Sequence, residues 1–321
     1  MSVVIPVRDD APRLRRCLAS IRANAYPEDA LELIVVDNGS RDDSVPVATA
    51  AGAHLLHAPG LKVAALRNAG ARIASGDIIA FVDADHVIDL RWLAGAAEVL
   101  AQPDVGGTGA AYVAPTPGTW VQAAYDRLRS RPAGRREVDW LGAGNLALRR
   151  DVFLALGGFD TSLETCEDVD LCNRLRTRGL RLISDPRLRS VHHGDPATLR
   201  GLFCGELWRG RDNLRATLRG PLTGRALPSL LIALLILTSG LLAVLGLCTL
   251  PLGGGRLILP GLLGITLLIA LRAFRMLGNG AASGSWRHLP QDLAVASAYE
   301  LARALALVWR ATHRTRRGAA A

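Results

Sequence analysis

From Ala226 to Gly255 the chain carries no charged residue, and after Arg256 a second uncharged run continues from Leu257 to Leu271. At about 1.5 Å of rise per residue the first run exceeds the roughly 30 Å hydrocarbon core of a bilayer. A chain that crosses lipid must satisfy its own backbone polar groups, which a helix does. A membrane hairpin is therefore expected over 221–275, with helices at about 227–250 and 257–274. The second run is marginal in length and spans if Arg256 and Arg272 snorkel or the bilayer thins. Arginines crowd both approaches, Arg200, Arg209, Arg211, Arg215, Arg219 and Arg225 before, Arg272, Arg275 and Arg287 after, which puts both hairpin ends in the cytosol. Residues 276–321 follow, with a narrow polar stripe through Asp292, Glu300, Arg303 and Arg310 and a basic end. They read either as an amphipathic helix lying in the interface or as a third membrane helix.

The formal charge of +9 rests almost wholly on arginine, Lys62 being the one lysine. Basic residues interleaved with aromatics, as in a nucleic-acid module, do not occur, so nucleic acid is not an expected partner. Cys17, Cys166, Cys172, Cys204 and Cys248 form no CxxC pair and show no metal-ligand spacing, which fits reduced thiols in a cytoplasmic setting. The first residues run straight into "VVIPV" without a secretory signal, so the front of the chain is expected in the cytosol.

Residues 1 to about 115 alternate short apolar runs with helical patterns: "SVVIPV", "APRLRRCLASIRAN", "LELIVVDNGS", "DDSVPVATAAG", "AHLLHA", "VAALRNAGARIASG" and "DIIAFVDAD". That series predicts an α/β, Rossmann-like domain with a mostly parallel sheet and helices on both faces. Ligands of such sheets bind beyond the carboxyl ends of the strands. Here the strands end in Arg8 and Asp9, in Asp37 to Ser40, and in Asp83 to His86. Further on, "VDWLGAGNLALRR" is strand-like, and "CEDVDLCNRLRTRG" is a helix stopped at Gly179.

Two carboxylates one residue apart, Asp83 and Asp85, offer hard oxygen ligands to Mg²⁺ or Mn²⁺, though an isolated DxD is also an ordinary acidic turn. Ser40 is suited to cap the helix after the second strand. Glu167 and Asp168 open a helix, where they complement its dipole. Asp170 has Arg174 one turn on as a salt-bridge partner. His86 is expected to face solvent or the loop.

Together "VVIPVRDD", "IVVDNGSRDDS", "LRNAGARIASGDIIAFVDAD", "GAGNLALRRDVFLALGGFD" and "EDVDLCNRLRTRG" resemble, in order and spacing, the motifs of family 2 inverting glycosyltransferases with a GT-A fold. The resemblance spans residues 2 to about 215 and implies a catalytic domain over 1–220. It implies a nucleotide-sugar donor, UDP by preference, held by Pro6, Val7, Asp9, Asp37, Asn38, Gly39 and Arg67. Asp83 then faces the ribose or the metal, Asp85 binds the metal directly, and His192 lies beside the metal or diphosphate. Asp168, with Glu167, supplies the base that deprotonates the acceptor hydroxyl. Gly144 and Asn145 lie on the acceptor side. Trp208, Arg209 and Arg211 resemble a segment that holds the pyrophosphate, and equally fit a Trp/Arg belt before a membrane helix. Arg131, Arg135 and Arg136 fit either an acidic lipid phosphate or the membrane surface.

The expected protein is a glycosyltransferase anchored in the cytoplasmic membrane, its catalytic domain in the cytosol and its acceptor a lipid-linked sugar or a polysaccharide. The rivals are part of a processive polysaccharide synthase, which needs more membrane helices, and a non-catalytic membrane protein that binds nucleotide sugar. A nucleotidyltransferase would carry a Gly-rich basic loop after the first strand, and "PVRDDAPRL" is not that loop.

Overall fold

The computed structural model describes residues 1–130, 134–221, 227–279 and 286–309. Arg131, Arg225, Ala226 and Arg310 lie outside them. The chain forms two compact units, each assembled from separate stretches.

The first unit comprises residues 1–117, 131–195 and 218–221. It runs β1 (Ser2–Val7), α1 (Ala11–Arg22), β2 (Glu32–Asp37), α2 (Ser44–Ala50), β3 (His54–His57), α3 (Val63–Ile73), β4 (Ile78–Val82), β5 (His86–Ile88), α4 (Trp92–Leu100), β6 (Val105–Gly109) and β7 (Tyr112–Val113). After helix α5 (Trp120–Arg129), which belongs to the second unit, come β8 (Arg136–Val138), β9 (Asn145–Arg149), α6 (Arg150–Ala155), α7 (Glu167–Thr177), β10 (Arg181–Ser184) and β11 (Ser190–His192).

β1 is buried along its whole length, which explains a continuous run, mostly apolar, in place of an alternating one. Successive side chains still point to opposite faces. Val3, Ile5 and Val7 pack with Leu14, Cys17, Leu18 and Ile21 of α1, while Val4 packs with Ala64, Leu66 and Ala71 of α3. Helices therefore cover both faces.

The main sheet has the order β3-β2-β1-β4-β9-β6-β10-β8. β3, β2, β1 and β4 are parallel, so β1, β2 and β4 deliver their carboxyl ends to one edge. β9 runs antiparallel to both β4 and β6, and β8 antiparallel to β10, so the sheet is more mixed than the first 115 residues suggest. β9 enters from the ligand-binding edge, because its first residue, Asn145, pairs with Val82 at the end of β4. A Cβ on Gly109 would overlap the Asn145 carbonyl, so β6 needs glycine there to pair with β9. A second sheet, β5-β11-β7, stands off that edge.

The second unit comprises residues 118–130, 196–217 and 222–321. Its helices are α5, α8 (Leu199–Arg209), most of α9 (Asn213–Arg219), α10 (Leu227–Cys248), α11 (Ile258–Asn279) and α12 (Leu289–Ala306). α10 and α11 are each long and apolar enough to cross a membrane. α11 continues through Arg272 and Arg275, so it is longer than the 257–274 expected from its uncharged run. α5, α8, α11 and α12 share a core that includes Val121, Tyr125, Leu202, Ala273, Met276 and Val295. The polar stripe of α12 does not face water. Asp292 takes Arg127 at 2.7 Å, Glu300 takes Arg272 at 2.5 Å, and Arg303 stands 3.6 Å from Glu206, which also accepts from Tyr125 Oη at 2.7 Å. Buried charges need such partners, and they lock helix to helix.

Candidate active site

At the ends of β1 and β2 the backbone is shaped by short-range hydrogen bonds. Asp37 is fully buried and accepts from the Gly39 and Ser40 N–H groups at 3.1 Å each and from His57 Nδ1 at 2.8 Å. Burial alone would raise its pKa, but the Ser40, His57 and Gly39 hydrogen bonds outweigh that and hold the carboxyl below its ordinary value. Asn38 exchanges two hydrogen bonds with the Leu61 backbone, at 3.1 and 3.2 Å, and Gly39 has φ +76 against Pro59, where a side chain would be strained. The turn is thereby tied to the 57–61 loop. Ser40 does not cap α2. Its hydroxyl accepts from the Asp9 N–H at 3.0 Å, and Asp9, itself at φ 51, accepts from the Arg41 N–H. Pro6 and Val7 are buried at the end of β1.

Arg67 projects from α3 and is 3% exposed. Nη2 lies 2.6 Å from Asp83 Oδ1 and Nη1 2.7 Å from Glu167 Oε1, so one guanidinium bridges the end of β4 and the start of α7. Burial works against its charge, but the two carboxylates more than compensate and Arg67 stays protonated. Arg67 thus clamps Asp83 and Glu167, a pairing that the implied contact with the nucleotide did not include.

Asp168 is the next residue. Cys166, at φ 62, turns the chain into α7 with a left-handed step that a non-glycine residue seldom takes. Asp168 accepts from its neighbour Val169 N–H at 2.8 Å and from Ala143 N–H at 3.3 Å. Burial, and then the Glu167 charge, push its carboxyl up to about 7, against the opposing pull of those amides and of Arg67. Asp170 turns away to Arg174, at 2.8 Å, as its spacing implies.

Asp85 belongs to a different cluster. β5 pairs antiparallel with β11 so that His86 sits opposite His192, and the two rings stack with centroids 4.6 Å apart. His86 is 1% exposed, its Nδ1 2.8 Å from Ser190 Oγ and its edge against Tyr112. It does not face solvent or the loop, contrary to the expectation from sequence, because the partner strand lies 104 residues on. His192 Nδ1 lies 2.7 Å from Asp195 Oδ1, and His192 Nε2 lies 3.2 Å from Asp85 Oδ2. Asp195 and Ser190 were not legible as site residues. The spacing of Asp195, three beyond His192, was the available signal.

Asp85, His86 and His192 each offer one ligand atom, and these atoms all lie within 4.8 Å of one another. A Cβ on Gly194 would overlap the Asp85 carboxylate and approach His192 Nε2 to 2.8 Å, so the glycine keeps this space clear. One carboxylate and two imidazoles fit a divalent metal ion. Asp83, expected at the metal or ribose, lies outside this group with one oxygen on Arg67. Gly194→Ala is expected to weaken Mn²⁺ binding by roughly tenfold or more, the scale of losses when ligands are misoriented, as isothermal titration would measure.

Of the two acceptor-side candidates, Gly144 packs against Asp83, whose Oδ2 a Cβ there would meet at 2.5 Å. Asn145 instead is fully buried, accepts from Trp92 Nε1 at 2.6 Å and donates to the Ala110 and Leu188 carbonyls at 3.1 and 2.8 Å. That is a structural tie between β9 and α4. Asn145→Ala should cost about 3 kcal/mol, one for each of the hydrogen bonds lost, as the midpoint of a denaturant titration would register. Arg211 follows α8 in the second unit.

Residues 2–154 match the family described as glycosyl transferase family 2. The pre-mycofactocin glycosyltransferase of Mycobacterium tuberculosis is 32% identical over 240 residues, which cover 69% of this chain and 48% of that protein. The chain thus spans about half the length of this relative. The mannosyltransferase PcManGT of Pyrobaculum calidifontis, solved with GDP-Man and Mn²⁺, superposes with a TM-score of 0.62 at 20% identity, covering 96% of this chain and 86% of that one. GalNAc-T7, solved with UDP, GalNAc and Mn²⁺, gives a TM-score of 0.50 at 17% identity over 70% of this chain and 52% of that one. At these identities the likeness establishes a GT-A-like fold.

Proposed function

Since the chain carries a glycosyl transferase family 2 domain on a GT-A-like fold, we propose that it moves a sugar, with inversion, from a nucleoside-diphosphate donor to an acceptor hydroxyl. The observation that carries this reading is Asp168. A carboxyl pushed up to about 7 at the start of α7, beside the Arg67 clamp, is poised as a general base near neutral pH.

Inversion by single displacement needs one base, which takes the acceptor proton as the hydroxyl attacks the anomeric carbon. Asp168 Oδ2, held by the Ala143 N–H, takes that proton, and Glu167 keeps Arg67 in place beside it. Asp9, Asp37, Asn38 and Gly39 form the turn that lines the nucleoside, with Pro6 and Val7 behind it. Asp83 stands at the edge for the ribose, steered by Arg67. Asp85 and His192 would hold Mg²⁺ or Mn²⁺, which when bound neutralises charge on a diphosphate leaving group. Gly144, packed against Asp83, lies on the acceptor side.

The helices α10 and α11 support a membrane anchor over 221–275, with residues 1–220 at the cytoplasmic face of the inner membrane. The acceptor is then a lipid-linked sugar or a growing polysaccharide. Incubating the full chain with Mn²⁺, a panel of radiolabelled UDP- and GDP-sugars and a membrane lipid extract tests this. Label in the lipid phase is the expected result, and label only on soluble acceptors would overturn the membrane acceptor.

A further inference from the structure

We propose that His86 is a third protein ligand of the divalent cation, and that with His192 it makes the site select a transition-metal ion such as Mn²⁺ over Mg²⁺. The inference rests on the reading of Asp85 as the residue that holds the cation.

A histidine that is 1% exposed is ordinarily a packed core residue, and His86 departs from that pattern at its second nitrogen. Nδ1 is engaged by Ser190 Oγ at 2.8 Å. Nε2 stands 3.9 Å from Asp85 Oδ1, beyond hydrogen-bonding reach. It faces Gly144, where a Cβ would come within 3.1 Å of it and 2.5 Å of Asp83 Oδ2. His192 has the same design, its Nδ1 bound to the buried Asp195 at 2.7 Å and its Nε2 turned to Asp85. A ring whose one nitrogen donates to an oxygen presents the lone pair of the other, which is how ligating histidines are oriented. Tyr112, edge-on at 4.7 Å, fixes the plane of His86.

The donor set then contains two imidazole nitrogens and one carboxylate. Mg²⁺ favours oxygen ligands in a strict octahedron and gives up its water reluctantly, whereas imidazole suits the first-row transition ions. The neighbouring carboxylate, Asp83, lies outside the ligand group and has Oδ1 on Arg67.

Titrating the full chain in detergent with MnCl₂, followed by the free-Mn²⁺ electron paramagnetic resonance signal, tests this, with Mg²⁺ and Co²⁺ as competitors. Co²⁺ should displace Mn²⁺ readily, and Mg²⁺ only at roughly tenfold or greater excess. His86→Asn should weaken Mn²⁺ by about tenfold or more, and Ser190→Ala by less, while Asp83→Asn stays within about threefold of the parent. Spin-echo envelope modulation on the unaltered protein counts imidazole nitrogens on the bound Mn²⁺ without relying on a variant that folds, and should find two. One nitrogen, or displacement by equal Mg²⁺, overturns the role of His86 and leaves the transferase reading standing. Unchanged Mn²⁺ binding by Asp85→Asn would instead overturn the underlying reading of the site.

Discussion

Asp168→Asn should lower kcat by about a thousandfold, within the range by which a positioned general base accelerates proton transfer. The same change should raise the melting temperature at pH 8. In the folded protein the Asp168 carboxyl is pushed up to about 7, first by burial and then by Glu167, so the folded chain binds this proton more tightly than the unfolded chain does. Stability contributed by that proton is present at low pH and is lost as pH rises from the ordinary carboxyl range through about 7. Above that the ionised group opposes folding, and an amide of the same shape removes the penalty. The gain in the variant should shrink as pH falls toward 4. Were Asp168 only a complement to the α7 dipole, the amide would lose stability and keep turnover. A functional group that destabilises its own fold is the usual exchange between activity and stability.

Arg67→Met is expected to lose both stability and activity. Arg67 is 3% exposed and answers both Asp83, at 2.6 Å, and Glu167, at 2.7 Å. An apolar side chain leaves those two carboxylates facing Asp168 without a counter-charge. Removing one partner of a buried pair costs roughly 3–5 kcal/mol, and because Asp83 is partly solvated the expected loss is near about 3 kcal/mol. Activity should fall with it, since Asp83 and Asp168 both lose their steering. Arg67→Lys keeps the charge without the fork and should restore stability to one of the two acids but not to both. Denaturant midpoints for the two variants, measured beside kcat, separate lost charge from lost geometry.

What local pattern could reveal, it revealed. The continuous apolar runs of β1, β2 and β4 ending in Asp9, Asp37 and Asp83, the helix opened by Glu167 and the uncharged stretches of α10 and α11 are all readable over a handful of neighbouring residues. The misreadings share one physical cause, a partner far along the chain. His86 follows a DxD and reads as an exposed loop residue until β11 arrives opposite it. Asn145 sits beside a small-residue loop and reads as a substrate contact, yet Trp92, Ala110 and Leu188 consume its amide. Ser40 follows an Asp-Asn-Gly turn and reads as a helix cap, but the β1 loop claims its hydroxyl. The antiparallel course of β9 is likewise invisible in its own residues, since direction within a sheet is a property of the connection. Arg67 was found by motif, and its engagement by two acids from distant segments was not.

The pH dependence of kcat in the unaltered protein tests the central claim, that Asp168 is the base, most directly. At saturating donor, acceptor and Mn²⁺ the account predicts one ascending limb with a midpoint near about 7, activity being lost as pH falls and Asp168 takes up its proton. A kcat that stays flat from mildly acidic to mildly alkaline pH, with turnover limited by chemistry, would contradict it.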